Sequence, residues 1–256
     1  MSSLSPPPTL PERAVDAFHD LGYAVVSGIG TPDDLLRVQE LLDPLFDRFE
    51  SLPASVAVDL GGGGPTPSIP ELNATARLEP RLLDTRVFHN CRRAAERLCG
   101  RRVTFWGDHA IYKPAHNKRA TAWHQDRAYA GHPFSDDVVT FWVPLQDVTE
   151  EMGCMRFVPR SHRAGLLPHA PREGGAASRV LSLRNVDEDA ALACPIPTGS
   201  ATVHGALTIH ATGPNATDRM RRAWIVAFSP CHPYGIARAA TAAVALARTV
   251  RAAIRG

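Results

Sequence analysis

The chain has 256 residues, 44% hydrophobic and 21% charged, which is ordinary globular usage and excludes a mostly disordered polymer. Its 28 Lys and Arg against 26 Asp and Glu leave a formal charge of +2, so nothing electrostatic favours nucleic acid as a partner. Five cysteines, an odd number without a CxxC pair, argue against a disulfide framework or thiolate zinc cage, and no stretch of about 18 apolar residues offers a membrane span.

Residues 1–11 are rich in Ser and Pro and read as a flexible arm. They lack the basic start and apolar run of a secretory signal, so a reducing cytoplasm is the expected location. Ala14, Val15, Phe18, Leu21 and Tyr23 recur at helical spacing, and Ala24-Val25-Val26 reads as a short strand. Thr31 is the expected N-cap of the next helix, with Pro32 just inside and Asp33 and Asp34 in the first turn. Its apolar face comprises Leu35, Leu36, Val38, Leu41, Leu42, Leu45 and Phe46. The stretch GGGGPTPSI at 61–69 is too rich in glycine for a regular element and reads as a surface loop or a lid over substrate.

A further helical zone over about 81–99 should stop at Gly100. From Val103 the texture changes to short β-rich runs: VTFWG, AIYKP, VVTFWVPL, CMRFVP, SATVHGALTIHA and RAWIVAFSP. Such runs build a sandwich or barrel. The Ala- and Arg-rich residues 236–256 read as an exposed amphipathic helix. The expected organisation is one domain over 1–256, with a helical N-terminal part at about 12–100 and a β core at about 103–232.

The chemistry concentrates in Trp123-His124-Gln125-Asp126. On a strand, positions i and i+2 share a face, so His124 and Asp126 can reach one point. An imidazole nitrogen and a carboxylate oxygen suit Fe(II), Zn(II) or Mn(II). The tripeptide alone is weak, but His210 follows far downstream in ALTIHATGPN. Two ligands close in sequence and a third distant one fit a two-His, one-carboxylate facial triad with open positions. Arg221 lies beyond, and a guanidinium fork fits a carboxylate through two parallel hydrogen bonds.

Three segments, YKPAHNKRATAWHQDRAY, FWVPLQDVTEEMGCMRFVPRSH and HATGPNATDRMRRA, resemble the phytanoyl-CoA dioxygenase family of Fe(II)/2-oxoglutarate-dependent oxygenases in residue type, order and spacing. The similarity runs from about Phe105 to Pro230. It implies a mainly β fold with flanking helices around a double-stranded β-helix (jelly-roll, cupin-like) core. It implies iron ligation by His124, Asp126 and His210, with Arg221 and Thr212 on the distal carboxylate of 2-oxoglutarate. Trp142 would pack beside that cosubstrate, and His109 would line its pocket. Lys113 belongs to a recurrent Lys-Pro pair and carries no assigned role. The implied cofactors are Fe(II), 2-oxoglutarate and O2.

The chain departs from the pattern at Met152, Arg160, Gly199-Ser200 and Ala211, where the family often shows Asn, Gly, Gly-Asp and Gly; none of these removes a ligand. His204 rivals His210 for the distal ligand, but Thr212 and Arg221 stand at the family offsets from His210, which leaves His204 as a packing or ligand-orienting histidine. The same offset favours Arg221 over Arg219 and Arg222. On an alternating strand Arg219 would share the face of Arg221 and Arg222 would point away. Arg127, Tyr129 and Trp106 are candidate substrate contacts. Tyr112 reads as pocket wall or core, and Phe141 as core. His116, His132, His162, His169 and His232 read as surface or packing residues, and the cysteines as inert.

The function these residues imply is C–H hydroxylation of a small molecule coupled to conversion of 2-oxoglutarate to succinate, as a tailoring step in secondary metabolism. Related halogenating enzymes have Gly or Ala where Asp126 stands, so oxygenation is favoured over halogenation. Desaturation, ring closure and epimerisation stay open. A zinc hydrolase or isomerase could use the same three ligands but leaves Thr212 and Arg221 without a role. A non-catalytic binding protein has no need of a complete triad. A small-molecule substrate is expected, with neither nucleic acid nor membrane as partner; the oligomeric state is not specified.

Overall fold

The computed structural model describes residues 10–61, 67–129, 136–171 and 181–230. Most of the arm, the centre of the Gly-rich stretch and the helix expected at 236–256 lie outside the described residues, as do His132, Cys231 and His232.

Helix α1 (Glu12–Leu21) ends at Gly22, whose φ of 88° closes it in the left-handed conformation. A Cβ there would stand 2.5 Å from His162 Nδ1 and 2.6 Å from Thr208 Oγ1, so only glycine fits. That stop overrides the helical spacing at Tyr23, which instead opens strand β1 (Tyr23–Val26). Helix α2 (Pro32–Phe46) starts in a capping box: Thr31 Oγ1 accepts from Asp34 N at 3.2 Å, and the Asp34 carboxylate accepts from Thr31 N at 2.9 Å. Leu35, Val38, Leu41, Leu42 and Leu45 are buried as the pattern requires, whereas Leu36 falls off the stripe and is exposed.

The N-terminal segment also supplies two strands with no sequence signal, β2 (Ala57–Asp59) and β3 (Pro70–Asn73), and a short helix α3 (Thr75–Leu78). The zone expected at 81–99 divides. Pro80–Asp84 forms a 3-10 turn, and α4 (Arg86–Cys99) begins after Thr85, whose hydroxyl accepts from Phe88 N. Gly100, at φ 62°, ends it where expected.

The β body comprises β4 (Val103–Lys113), β5 (Thr121–His124), β6 (Val139–Pro144), β7 (Met155–Phe157), β8 (Ala170–Pro171), β9 (Leu181–Ser182), β10 (Leu192–Cys194), β11 (Ala201–Gly205), β12 (His210–Thr212) and β13 (Arg221–Pro230). VTFWG and AIYKP are one continuous strand, β4. SATVHGALTIHA is two strands in different sheets, because a turn pinned by Thr208 Oγ1 on Gly22 O separates β11 from β12.

The larger sheet has seven strands in the order β1-β11-β6-β13-β4-β3-β2, the smaller four in the order β10-β7-β12-β5, and β8 pairs with β9. The two sheets stay separate, so the body is an open jelly-roll sandwich and not a closed barrel. Each face of the larger sheet is covered. On the outer face Val139, Phe141 and Val143 of β6 and Trp224, Val226 and Phe228 of β13 pack against α2 and α4. On the inner face Ile111, Trp142, Ala223 and Ile225 pack against Met155 and Phe157 of the smaller sheet. Double coverage is why every residue of β6 is buried, each large apolar side chain contributing about 1.5–3 kcal/mol.

Phe141 is core, as expected. So is Tyr112: its ring stacks on Phe46 in the outer layer and its hydroxyl donates to Asp43 at 2.7 Å, which removes it from any pocket wall. Cys91, Cys154 and Cys194 are buried, and burial pushes their thiols up, consistent with inert side chains.

Candidate metal centre

His124 and His210 are direct partners across the β5–β12 ladder. Asp126 arrives differently from the expectation of a shared strand face. β5 ends at His124, Gln125 is a single extended residue, and Asp126 opens a 3-10 turn over Asp126–Ala128. One extended residue preserves the alternation, so His124 and Asp126 face the same space while Gln125 points away. Gln125 is fully buried and sequence reasoning passed over it. Its amide donates to Gly165 O at 2.9 Å and Leu207 O at 2.6 Å and accepts from Leu167 N at 2.8 Å. It thereby ties the first two site residues to the turn that precedes His210.

The facing atoms are well defined. Asp126 Oδ1 lies 3.6 Å from His124 Nε2 and 3.3 Å from His210 Nε2. One ligand atom from each of the three falls within 4.8 Å of the others, a set that could hold a metal ion. His124 Nδ1 is 2.7 Å from Ala122 O, and His210 Nδ1 is 2.9 Å from Thr208 O. A carbonyl only accepts, so both protons sit on Nδ1 and both Nε2 lone pairs point into the site. Burial and the neighbouring His210 lower His124 to about 4; burial and His204 lower His210. Both imidazoles are therefore neutral at pH 7, the form that ligates.

Asp126 uses its second oxygen for anchoring. Oδ2 accepts from Thr140 Oγ1 at 2.8 Å and from His204 Nε2 at 3.2 Å. Burial works to raise the Asp126 carboxyl, but His210 and His204 outweigh it and hold the group well below the usual carboxylate range. His204, nearly fully buried, thus holds the Asp126 carboxylate through its Nε2. Its Nδ1 has no hydrogen-bond partner among the described residues. Thr140 was missed in the sequence. It pairs with His204 across β6–β11, and only that register brings it to Asp126.

A second polar cluster lies at the start of β13. Arg221 is fully buried, opposite Lys113 on β4. Its Nη1 donates to Gly153 O at 3.1 Å, while Nε and Nη2 are buried without a partner among the described residues. Burial pushes its guanidinium down to about 10, still charged at neutral pH, and it stands 5.3 Å above the Trp142 ring. Lys113 Nζ donates to Thr212 Oγ1 at 3.2 Å and to Gly213 O at 2.6 Å, and Thr212 Oγ1 donates to Thr121 Oγ1 at 2.9 Å. Lys113, Thr212, Arg221 and Trp142 therefore form one positively charged corner. Gly153, at φ 79°, lets this corner close, since a Cβ would lie 2.5 Å from Gly213 O. The rival arginines fall elsewhere. β13 starts only at Arg221, leaving Arg219 off the strand, and Arg222 turns outward to Asp43 and the Tyr112 ring.

The remaining candidates scatter. His109 is on the inner face, with Nε2 3.7 Å from Glu71 Oε1. Tyr129 stands edge-on to His124 at 5.7 Å, and its hydroxyl meets the backbone of Leu181. Arg127 forms an ion pair with Asp136. Trp106 is 37% exposed, near the bulge between β4 and β13. His169 is a packing residue that accepts from Gln125 N.

The sequence pattern of the phytanoyl-CoA dioxygenase (PhyH) family matches residues 18–223. Among curated relatives, a probable alpha-ketoglutarate-dependent hypophosphite dioxygenase of Stutzerimonas stutzeri is 31% identical over 112 residues, 42% of this chain and 38% of that protein. The chain thus matches about two fifths of that relative's length. Among solved structures, EvdO2 from Micromonospora carbonacea var. aurantiaca superposes with a TM-score of 0.77 at 30% identity, over 89% of this chain and 94% of its own. The same protein is also known complexed with 2-oxoglutarate. The carbocyclase SnoK from nogalamycin biosynthesis shares the fold, with a TM-score of 0.70 at 20% identity over 89% of this chain and 87% of that one. With the family pattern spanning most of the chain and the inward-facing side chains arranged as above, this protein belongs to the phytanoyl-CoA dioxygenase family.

Proposed function

We propose that the protein is an Fe(II)- and 2-oxoglutarate-dependent oxygenase that hydroxylates an unactivated C–H bond of a small molecule in a secondary-metabolite pathway. The observation that carries this reading is the pairing of two features within one sandwich. Two neutral imidazoles and one carboxylate aim their free atoms at a common point, and a buried guanidinium holds two unused donors. Burying a cation with unmet donors is costly unless an anion completes it. A dicarboxylate that also chelates a metal meets both demands, so the residues present fit iron and 2-oxoglutarate.

His124 Nε2, Asp126 Oδ1 and His210 Nε2 would hold the iron. Arg221, assisted by Thr212, would hold the distal carboxylate. When bound, the metal would activate O2 with 2-oxoglutarate as the two-electron donor for C–H cleavage, with succinate and carbon dioxide as coproducts. The chain's own residues do the positioning. Backbone carbonyls of Ala122 and Thr208 fix the imidazole tautomers. Thr140 and His204 occupy Asp126 Oδ2 and so leave Oδ1 as the single inward oxygen. Trp142 covers the guanidinium and keeps water from it. A carboxylate at 126 gives a third protein ligand and favours oxygenation over halogenation. A zinc hydrolase needs no buried cation beside its metal, so Arg221 weighs against that reading.

The test is aerobic turnover. Iron-loaded protein screened with natural-product extracts is expected to release succinate from 2-oxoglutarate, and His210→Ala to release none. Activity that runs on zinc without 2-oxoglutarate would overturn the proposal.

A further inference from the structure

Glu71 is a carboxylate on the inner face that the centre described above does not use. It lies on β3 opposite Ile111 of β4, so strand alternation sends Leu72 into the outer core and Glu71 inward, onto the face that carries His109, Lys113 and Arg221. Its side chain is only 14% exposed. His109 Nε2 is 3.7 Å from its Oε1, an ion pair only when that imidazole is protonated; Asn73 gives it a side-chain hydrogen bond, and no lysine or arginine bridges to Glu71 among the described residues. Burial raises its carboxyl; His109 and Asn73 offset part of this, and the charge of Asp126 adds to it. Glu71 and His109 thus lie together on the inner face of the larger sheet.

A largely buried carboxylate with no lysine or arginine beside it carries a desolvation cost that a bound cation can reduce. The cosubstrate is not that partner. Its carboxylates suit Arg221, and beside Glu71 they would meet a like charge. We propose that Glu71 is the acidic anchor of the substrate pocket and that the substrate carries a basic nitrogen, seated on the Glu71 carboxylate. The proposal rests on the oxygenase reading for the identity of the pocket. It selects substrates by charge: an ammonium gains a charge-assisted hydrogen bond, while a carboxylate or phosphate at the same spot is repelled.

The experiment uses the iron(II)- and 2-oxoglutarate-loaded protein without oxygen. Its probes are a broad panel of aliphatic, cyclic and sugar amines, each beside its N-acetyl derivative and the alcohol of the same skeleton. Binding is read from the change in the visible band of the cofactor complex and from thermal shift. Wild-type protein should bind its best amines at least about tenfold more tightly than the matched neutral compounds, the range of one charged hydrogen bond. Glu71→Gln should lose that preference and keep the cofactor band. Wild-type protein that forms the band and shows no amine preference overturns the proposal, as does a Glu71→Gln variant that retains it. A wild-type protein with no cofactor band overturns the oxygenase reading instead, and the thermal shift still reports whether Glu71 confers the amine preference.

Discussion

On the outer face of the larger sheet, Asp108 is a buried carboxylate surrounded by donors. It accepts from the Thr75 hydroxyl, from Ala76 N at 3.0 Å and from Trp224 Nε1 at 3.0 Å. On the inner face, Arg221 leaves Nε and Nη2 unpaired, His204 leaves Nδ1 unpaired, and Thr202 leaves its hydroxyl unpaired. Both sets belong to the same strands or their neighbours, and both are buried. The difference is completeness. Asp108 is satisfied within the chain and serves to fasten α3 and β13 to β4. The inner set lacks partners among the described residues. Buried polar groups are normally paired; one more unpaired atom, His162 Nδ1, lies in the turn Ser161–Ala164, and the four on the inner face are the ones the proposed cosubstrate would meet.

Breaking the inner set at its centre should have the largest effect. Asp126→Ala is expected to abolish 2-oxoglutarate turnover, measured as succinate, with the far-ultraviolet circular dichroism unchanged. Arg221→Ala should weaken 2-oxoglutarate binding by about a hundredfold, the worth of two charge-assisted hydrogen bonds, while iron affinity in its absence stays as in the wild type. Arg221→Lys should restore little, because a point charge lacks the fork.

Thr140→Val should weaken iron binding by about 10- to 100-fold through the loosened Asp126, read by metal titration. Its counterpart on the outer face sharpens the contrast. Asp108→Asn should cost about 1–3 kcal/mol in chemical denaturation and leave iron affinity unchanged.

The smallest effect concerns Glu71. Because its carboxyl is raised in the fold, the folded state holds this proton to higher pH than the unfolded chain does. The protein therefore loses stability as pH climbs from the ordinary carboxylate range through the raised value. Glu71→Gln should remove that slope, raising the Tm of the metal-free protein by at most a few °C at pH 7 and by nothing at pH 4. A Tm lowered at pH 7 would mean that Glu71 is paired within the chain, as Asp108 is.

Much of the candidate centre could be read in the sequence because its residues sit in contiguous motifs. His124, Asp126 and His210 carry distinctive donor types, and Arg221 stands at a fixed offset from His210. Thr140 and Glu71 carry no such signal. A threonine in a β-rich run and a glutamate in a four-residue strand opened by Pro70 become meaningful only once β6 pairs with β11 and β3 with β4. Gln125 stood inside the motif, but its task depends on Gly165, Leu167 and Leu207, which are distant in sequence. The fold followed the same division. The capped helix α2 and the long β runs were legible, whereas β2 and β3 are too short for any periodicity. Tyr23 misled because its spacing is helical and only the cap at Gly22 removes it from the helix.

The most direct test of the central account is an anaerobic titration of the metal-free protein with Fe(II) and then 2-oxoglutarate, following the weak visible charge-transfer band of the chelate. The account predicts a saturable band in the wild type, no band in His210→Ala, and a band in Arg221→Ala only at about a hundredfold more 2-oxoglutarate. A wild-type protein that binds iron yet gives no band, or an Arg221→Ala variant that saturates at the wild-type concentration, would contradict it.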